Sequence, residues 1–229
     1  YMTVLFDADS LVWASCFRAD GDLEQAKKEY DDSFDNILTN LYGRYDIDSV
    51  ITFNNSSGNF RKLLDVKYKA NRKGSELPLI LQEIHQYVTE KYDGIKACGV
   101  ETDDLVARYW NHIAKEEGRD NVIILALDKD YMQLPALIYN YHYNHQCMYD
   151  VSEVEALNNF YTQMIVGDTI DNVNYCKGYG KKYAEKLFAE CTTHYQFTKK
   201  VYGLFKEIYK QKAKLKYIQC YNLLRLRTE

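Results

Sequence analysis

Val122-Ile123-Ile124-Leu125-Ala126-Leu127 is six apolar residues in a row with no polar break. A strand with one wet face would carry a polar residue at every second position; this run fits a strand covered on both faces. Such strands belong to parallel sheets sandwiched between helices. The run ends in Asp128-Lys129-Asp130. Two other short apolar runs end in the same way. Val4-Leu5-Phe6 leads to Asp7 and then Ala8-Asp9, and Ala97-Cys98-Gly99-Val100 leads to Glu101, Asp103 and Asp104. In open parallel α/β sheets, sites form outside the carboxyl ends of the strands, so these acids stand where chemistry is expected. Asp9 has a simpler reading as a helix N-cap or near-cap residue, and dipole-favoured helix starts would explain Asp103 and Asp104. Three acids in four positions nevertheless exceed what capping needs.

The remaining pattern alternates helix and strand. Helices are expected over 11–17, 23–45, 77–92 (with Pro78 in its first turn), 105–114 and 151–166. Strands are expected over 49–53, ending at Asn54-Asn55, and at the sheet edge over 137–139 and 146–149. Between the second strand and the third helix lies a basic run, Arg61 to Lys73, with six cations (Arg61, Lys62, Lys67, Lys69, Arg72, Lys73), one acid (Asp65) and Tyr68 among them. Cations with an interleaved aromatic suit a phosphate track on which a base stacks; the plainer alternative is a solvated helix face.

Asp168 and Asp171 open a second motif, which continues through Gly178-Tyr179-Gly180-Lys181-Lys182 into a helix expected over 183–190. Glycines allow a close backbone approach, and a following helix start with two lysines favours an anion. An ordinary turn between acids and a basic helix would look the same in isolation. Charge is divided along the chain: residues 172–229 carry 13 Lys+Arg against 4 Asp+Glu, whereas residues 1–171 carry 16 against 29. An acidic half and a basic half suit a metal centre beside an anion-binding surface.

With 229 residues, 46% hydrophobic and 27% charged, the chain fits a soluble domain with a sizeable core and an appendage. No apolar run is long enough for a membrane span and no signal-peptide pattern opens the sequence. Met2 is expected to be the natural start, and the cytoplasm the location (that of the host, if the protein is phage-encoded). Six scattered cysteines suggest reduced thiols. His142, His145 and Cys147 have zinc-ligand chemistry but no fourth partner, and are read as a solvent-facing hairpin.

If Asp7, Glu101, Asp103, Asp104, Asp128, Asp130, Asp168 and Asp171 converge, their mutual repulsion demands cations. Oxygen-only donors select Mg²⁺ or Mn²⁺, and a pair of such ions serves in-line phosphodiester displacement. Lys69 and Arg72 could then neutralise charge on the phosphate.

These motifs resemble the 5′-nuclease (flap endonuclease) superfamily, and most of all its bacteriophage 5′→3′ exonucleases. The resemblance rests on Phe6-Asp7-Ala8-Asp9, Phe60-Arg61 with Tyr68-Lys69-Ala70-Asn71-Arg72, Gly99 through Asp104, Asp128-Lys129-Asp130 with Gln133-Leu134, and Gly167-Asp168 through Lys182, in family order over residues 4–190. It implies an α/β, PIN-like (Rossmann-like) core with a mostly parallel central sheet flanked by helices over residues 2–163. A helix–hairpin–helix (helix–three-turn–helix) element and C-terminal helices follow over 164–229. It also implies Asp7, Glu101 and Asp103 at a first metal ion, Asp128, Asp130, Asp168 and Asp171 at a second, and a K⁺ ion at the hairpin. Lys69 and Arg72 would act on the scissile phosphate, and Tyr68 would stack on the unpaired end. Arg61, Lys62, Lys73, Gly178, Gly180, Lys181 and Lys182 would contact DNA. The implied activity is metal-dependent 5′→3′ exonuclease and 5′-flap endonuclease action by a monomer on DNA, with RNA–DNA hybrids as a secondary substrate.

Three departures accompany the resemblance. Asn54-Asn55 stand where the family has an acid, from which a weaker first metal site, greater Mn²⁺ dependence or an inactive variant is expected. Tyr175 replaces a common glycine, and only 28 residues between Arg72 and Glu101 imply a short arch or open clamp. A PIN-type ribonuclease, a catalytically silent branched-DNA binder and a cation-buffering domain are the alternatives.

Overall fold

The computed structural model describes residues 1–229. In chain order the elements are β1 (Thr3–Asp7), α1 (Asp9–Ala19), α2 (Leu23–Tyr42), β2 (Ser49–Ser57), α3 (Arg61–Leu64), α4 (Leu81–Tyr92), β3 (Ile95–Cys98), α5 (Thr102–Glu117), β4 (Val122–Leu125), β5 (Leu137–Asn140), β6 (Cys147–Asp150), α6 (Glu153–Val166), α7 (Lys181–Leu187), α8 (His194–Tyr209) and α9 (Ala213–Leu224). The sheet order is β3-β2-β1-β4-β5-β6, and every pair is parallel except β5 with β6. The fold is thus α/β with a mostly parallel sheet. The chain winds outward from β1 through β2 to β3, then crosses to β4 on the other side. That reversal leaves a crevice at the carboxyl ends of β1 and β4, the place where such sheets hold ligands.

Strand alternation builds the two faces. Val4, Phe6, Ile123 and Leu125 pack with α1, α2 and α4. Leu5, Val122 and Ile124 point the other way, against Val106 and Trp110 of α5 and Ala156 of α6. A third core gathers Phe160, Tyr161, Met164 and Ile165 of α6 with Phe188, Phe197, Phe205 and Leu223 of the C-terminal helices. Helix α6 therefore contributes to two of the three cores. Its start is fixed by Ser152 and Glu155, whose side chains each accept the other's backbone N–H at 3.1 Å.

Several boundaries differ from the sequence reading. β4 ends at Leu125, two residues before the apolar run does, although Ala126 N–H still donates to Tyr139 O at 3.1 Å in the ladder with β5. α4 begins at Leu81, so Pro78 lies in the preceding loop rather than in the first turn. α7 spans Lys181–Leu187, shorter and earlier than 183–190. β2 does not stop at Asn54 but runs on to Ser57, with a register shift between Phe53 and Ser56. Inside that irregularity Asn55 takes a left-handed φ of 70°. The segment with His142 and His145 is the β5–β6 hairpin, as expected, with Tyr143 exposed at its tip.

Candidate active site

The acids converge. A cavity of about 620 Å³ at the crevice is lined by Asp7, Glu101, Asp103, Asp128, Asp130, Asp168 and Asp171, with Lys69, Arg72 and Lys129 at its edge. From Glu101 to Asp171 the carboxylates form a continuous chain. One oxygen each of Glu101, Asp103 and Asp104 lie within 4.8 Å of one another, as do those of Asp103, Asp128 and Asp130, and those of Asp130, Asp168 and Asp171.

Each acid is delivered by a local device. Asp7 closes β1; its Oδ2 accepts a 2.6 Å bond from Tyr131 Oη and its Oδ1 a 3.2 Å bond from Asp9 N–H. Asp128 accepts the Asp130 N–H at 2.8 Å, which turns the chain so that both acids face the cavity. Asp168 shapes its own loop: Oδ1 accepts the N–H groups of Ile170 (2.9 Å) and Asp171 (3.2 Å), and its backbone pairs with Val173. Gly167, at φ 80°, permits this, since a Cβ there would lie 2.3 Å from Val173 O. Gln163 of α6 then bridges Asp130 (2.9 Å) and Asp168 (3.1 Å).

The basic segment is laced to the Asp168 loop. Lys69 N–H donates to Asp171 O at 2.9 Å, Asn172 Nδ2 to Lys67 O at 2.8 Å, and Arg72 Nη2 to Asp171 Oδ1 at 2.8 Å. Lys69 Nζ bonds Glu101 Oε1 and lies 3.8 Å from Asp171 Oδ1.

Burial and crowding leave the acids short of positive charge. Burial, then the charges of Asp9 and Asp128, push the Asp7 carboxyl up to about 7 against the Tyr131 hydrogen bond. Burial and Asp128 do the same to Asp130, also to about 7. Burial, Asp104 and Asp128 hold Asp103 well above the ordinary carboxylate range, and burial raises Asp128. Burial lowers the Lys69 ammonium. Oxygen donors in this density, with protons as the default counter-charge, fit hard divalent cations.

Four expected roles do not match the positions found. Arg61, expected on DNA, is 2% exposed: its guanidinium forks onto both oxygens of Asp104 at 2.6 and 2.7 Å. Asp104 is accordingly fully buried, with neither oxygen free to serve as a metal ligand in this arrangement, and it does not line the cavity. Tyr68, expected to stack on a base, is 3% exposed, its ring inside the C-terminal core. Its hydroxyl points inward between Glu101 Oε2 (2.9 Å) and Asp171 Oδ2 (3.1 Å). Neither asparagine lines the acidic cavity. The Asn54 amide is buried and donates to His85 O (3.0 Å), while Asn55 N–H donates to Asp9 Oδ1 at 2.6 Å. Lys62, Lys73, Gly178, Gly180, Lys181 and Lys182 are exposed, with open space where a Cβ on either glycine would stand.

Some cavity residues were not anticipated. Asp9 follows the N-cap position as the first residue of α1, a near-cap place as expected, but its Oδ2 accepts from Thr102 Oγ1 at 2.6 Å, and both residues line the cavity with Ser10 and Ser56. Trp13, one turn after Asp9 on α1, also lines it, half-exposed. Its i, i+4 spacing from Asp9 was the available signal.

The sequence model of the family described as 5′-3′ exonuclease, N-terminal resolvase-like domain, matches residues 2–159. No curated protein matches the sequence. Among solved structures, the fold is similar to that of the T5 D15 protein co-crystallised with metal ions, at 17% identity and TM-score 0.66, covering 99% of this chain and 90% of that one. A bacteriophage T5 D15 flap endonuclease in a complex with DNA and metal ions matches at 16% identity and TM-score 0.67, with the same coverage. The catalytic core of Rad2 in complex with DNA substrate matches at 14% and TM-score 0.55, covering 97% of this chain and 71% of that chain.

Proposed function

Because the chain belongs to the family of 5′-3′ exonuclease N-terminal, resolvase-like domains, we propose that it is a divalent-metal-dependent 5′-nuclease. In this reading it hydrolyses phosphodiesters near the 5′ ends of duplex and flapped DNA. The observation that carries this reading is the convergence of Asp7, Glu101, Asp103, Asp128, Asp130, Asp168 and Asp171 on one cavity with two cations, Lys69 and Arg72, at its rim. Glu101 and Asp103 with Asp7 would hold one ion, and Asp128, Asp130, Asp168 and Asp171 the other. When bound, a pair of hard ions supplies water activation and charge neutralisation for in-line displacement.

The protein's own groups bind and orient the substrate. Arg72, half-exposed at the cavity edge, offers its remaining donors to a phosphate, and Lys69 moves from Glu101 onto the scissile group. Trp13 offers an exposed ring beside the cavity on which an unpaired base stacks. Lys181, Lys182 and the open backbone at Gly178 and Gly180 grip the duplex backbone without reading sequence. RNA–DNA hybrids as secondary substrates, K⁺ at the hairpin, and action as a monomer complete the reading.

A 5′-flap and a blunt duplex, each labelled at either end, incubated with Mg²⁺, Mn²⁺ or EDTA, test it. Cleavage confined to the 5′ region and dependent on metal is expected, and Asp128→Ala should abolish it while DNA binding persists. Binding without metal-dependent cleavage would sink the enzymatic reading, and faster cutting of single-stranded RNA would favour a ribonuclease.

A further inference from the structure

Arg61 is a saturated donor. Its five N–H groups meet five acceptors: Nε reaches Leu223 O (2.9 Å), Nη1 reaches Glu101 Oε2 (3.0 Å) and Asp104 Oδ2 (2.6 Å), and Nη2 reaches Asp104 Oδ1 (2.7 Å) and Arg225 O (2.8 Å). No donor is left for a phosphate, and the group is out of reach of solvent. Of the five acceptors, only Glu101 lines the acidic cavity. Arg61 and Tyr68 together hold Glu101 Oε2 from the core side, which leaves Oε1 facing the cavity.

Two of the five acceptors are carbonyls at the end of α9 and just beyond it. That segment is itself clamped: Gln133 Nε2 donates to Leu224 O (3.0 Å), Leu226 N–H donates to Gln133 Oε1 (2.9 Å), and Arg227 N–H donates to Asp104 Oδ1 (2.9 Å). Arg61 and Arg227 also cover the Phe60 ring, at 4.7 and 4.4 Å from its centroid. The chain's last helix is thus tied through one guanidinium to one candidate metal ligand.

We propose that Arg61 is a positioning residue of the metal centre: it fixes the Glu101 carboxylate, and the 223–227 segment holds Arg61 in place to do so. The proposal rests on the metal-dependent reading above. Groups that orient metal ligands from behind typically change metal affinity 10–100-fold when altered. A lysine at position 61 keeps the charge that Asp104 needs but cannot span Glu101, Asp104 and two carbonyls together.

The test is Mn²⁺ binding by electron paramagnetic resonance, without DNA, on the wild type, Arg61→Lys and Gln133→Ala, alongside kcat and KM on a 5′-flap. Arg61→Lys should weaken Mn²⁺ binding about tenfold or more and lower kcat with KM unchanged. Gln133→Ala, which touches no cavity acid, should weaken Mn²⁺ binding in the same direction. Wild-type Mn²⁺ affinity in a folded Arg61→Lys protein would overturn the proposal, and so would a rise in KM alone, the mark of a DNA contact. If Arg61→Lys does not fold, Gln133→Ala decides, with unchanged Mn²⁺ affinity counting against it. A wild type that binds no Mn²⁺ would instead refute the metal-dependent reading itself.

Discussion

The ammonium of Lys69 sits on Oε1 of Glu101, the oxygen of that carboxylate that is not held from the core side. A cation from the chain thus covers a donor that a metal ion would use. In the metal-dependent reading, Lys69 and a metal ion would compete for that atom, and a bound phosphate would give Lys69 a second partner.

Lys69→Ala should therefore separate metal binding from turnover. Removing a positive charge from beside the acids leaves divalent affinity unchanged or tighter, whereas kcat on a 5′-flap falls about 10²–10³-fold for loss of a phosphate-facing donor. Calorimetric Mg²⁺ titration and single-turnover cleavage measure the two effects. Parallel weakening of both would make Lys69 a structural strut.

Stability should depend on pH with an unusual sign. Asp7 and Asp130 titrate near 7 in the folded chain against 3.8 ordinarily. Their raised values mean that the fold holds protons more tightly than the unfolded chain does. The resulting stabilisation is complete below about pH 4 and is lost as pH rises through about 7. In EDTA, Tm should fall between pH 5 and pH 8, and Mg²⁺ should restore it at pH 8 far more than at pH 5. A Tm that rises with pH in EDTA would contradict the electrostatics.

The two aromatics near the cavity, Trp13 and Tyr68, should differ in what they do. Trp13→Ala should cost roughly 1–3 kcal/mol of binding to substrates with an unpaired 5′ end and leave a fully paired duplex nearly unaffected. Tyr68→Phe removes only the hydroxyl between Glu101 and Asp171, so Mn²⁺ affinity should change while single-strand binding does not. Anisotropy with flapped and blunt duplexes distinguishes them, and equal losses on both substrates would deny Trp13 a stacking role.

Asn54→Asp should fail to strengthen the metal site. The Asn54 amide donates to His85 O, and a carboxylate would face that carbonyl without a proton to give, at a cost of about 1–3 kcal/mol or more. Gly94 closes the other side, where a Cβ would stand 2.1 Å from Asn54 Oδ1. Thermal unfolding should show a clear loss and metal titration no gain. Tighter Mg²⁺ binding at an unchanged Tm would return Asn54 to the metal site.

Lys181→Ala and Lys182→Ala should weaken duplex binding uniformly across sequences. Each should lower the slope of log K against log salt by roughly one, with kcat intact. A change in kcat without a change in slope would place these lysines at the chemistry rather than on the backbone.

Much of the architecture was legible along the chain. The apolar run at 122–127 and the shorter one at 4–6 had to be buried strands, and the acids closing them had to emerge at one end of a parallel sheet. The hairpin between β5 and β6 was readable for the same local reason. Boundaries were less so. β2 could not be followed past Asn54 because a left-handed residue and a register shift interrupt its alternation.

The basic run from Arg61 to Lys73 was the hardest stretch to read. Composition marks it as an anion-facing surface, yet Arg61 and Tyr68 turn inward while Lys62 and Lys73 turn out. Trp13 was given no role in the helix expected over 11–17, yet it stands at the cavity.

Local sequence set which segments are buried and where the acids leave them, because strand alternation and helix starts depend on neighbours a few residues away. The partners of individual polar groups were settled only by the tertiary structure. Arg61 meets carbonyls 162 and 164 residues along the chain, and no periodicity encodes a pairing over that distance. A buried guanidinium must find its acceptors wherever the packed chain presents them.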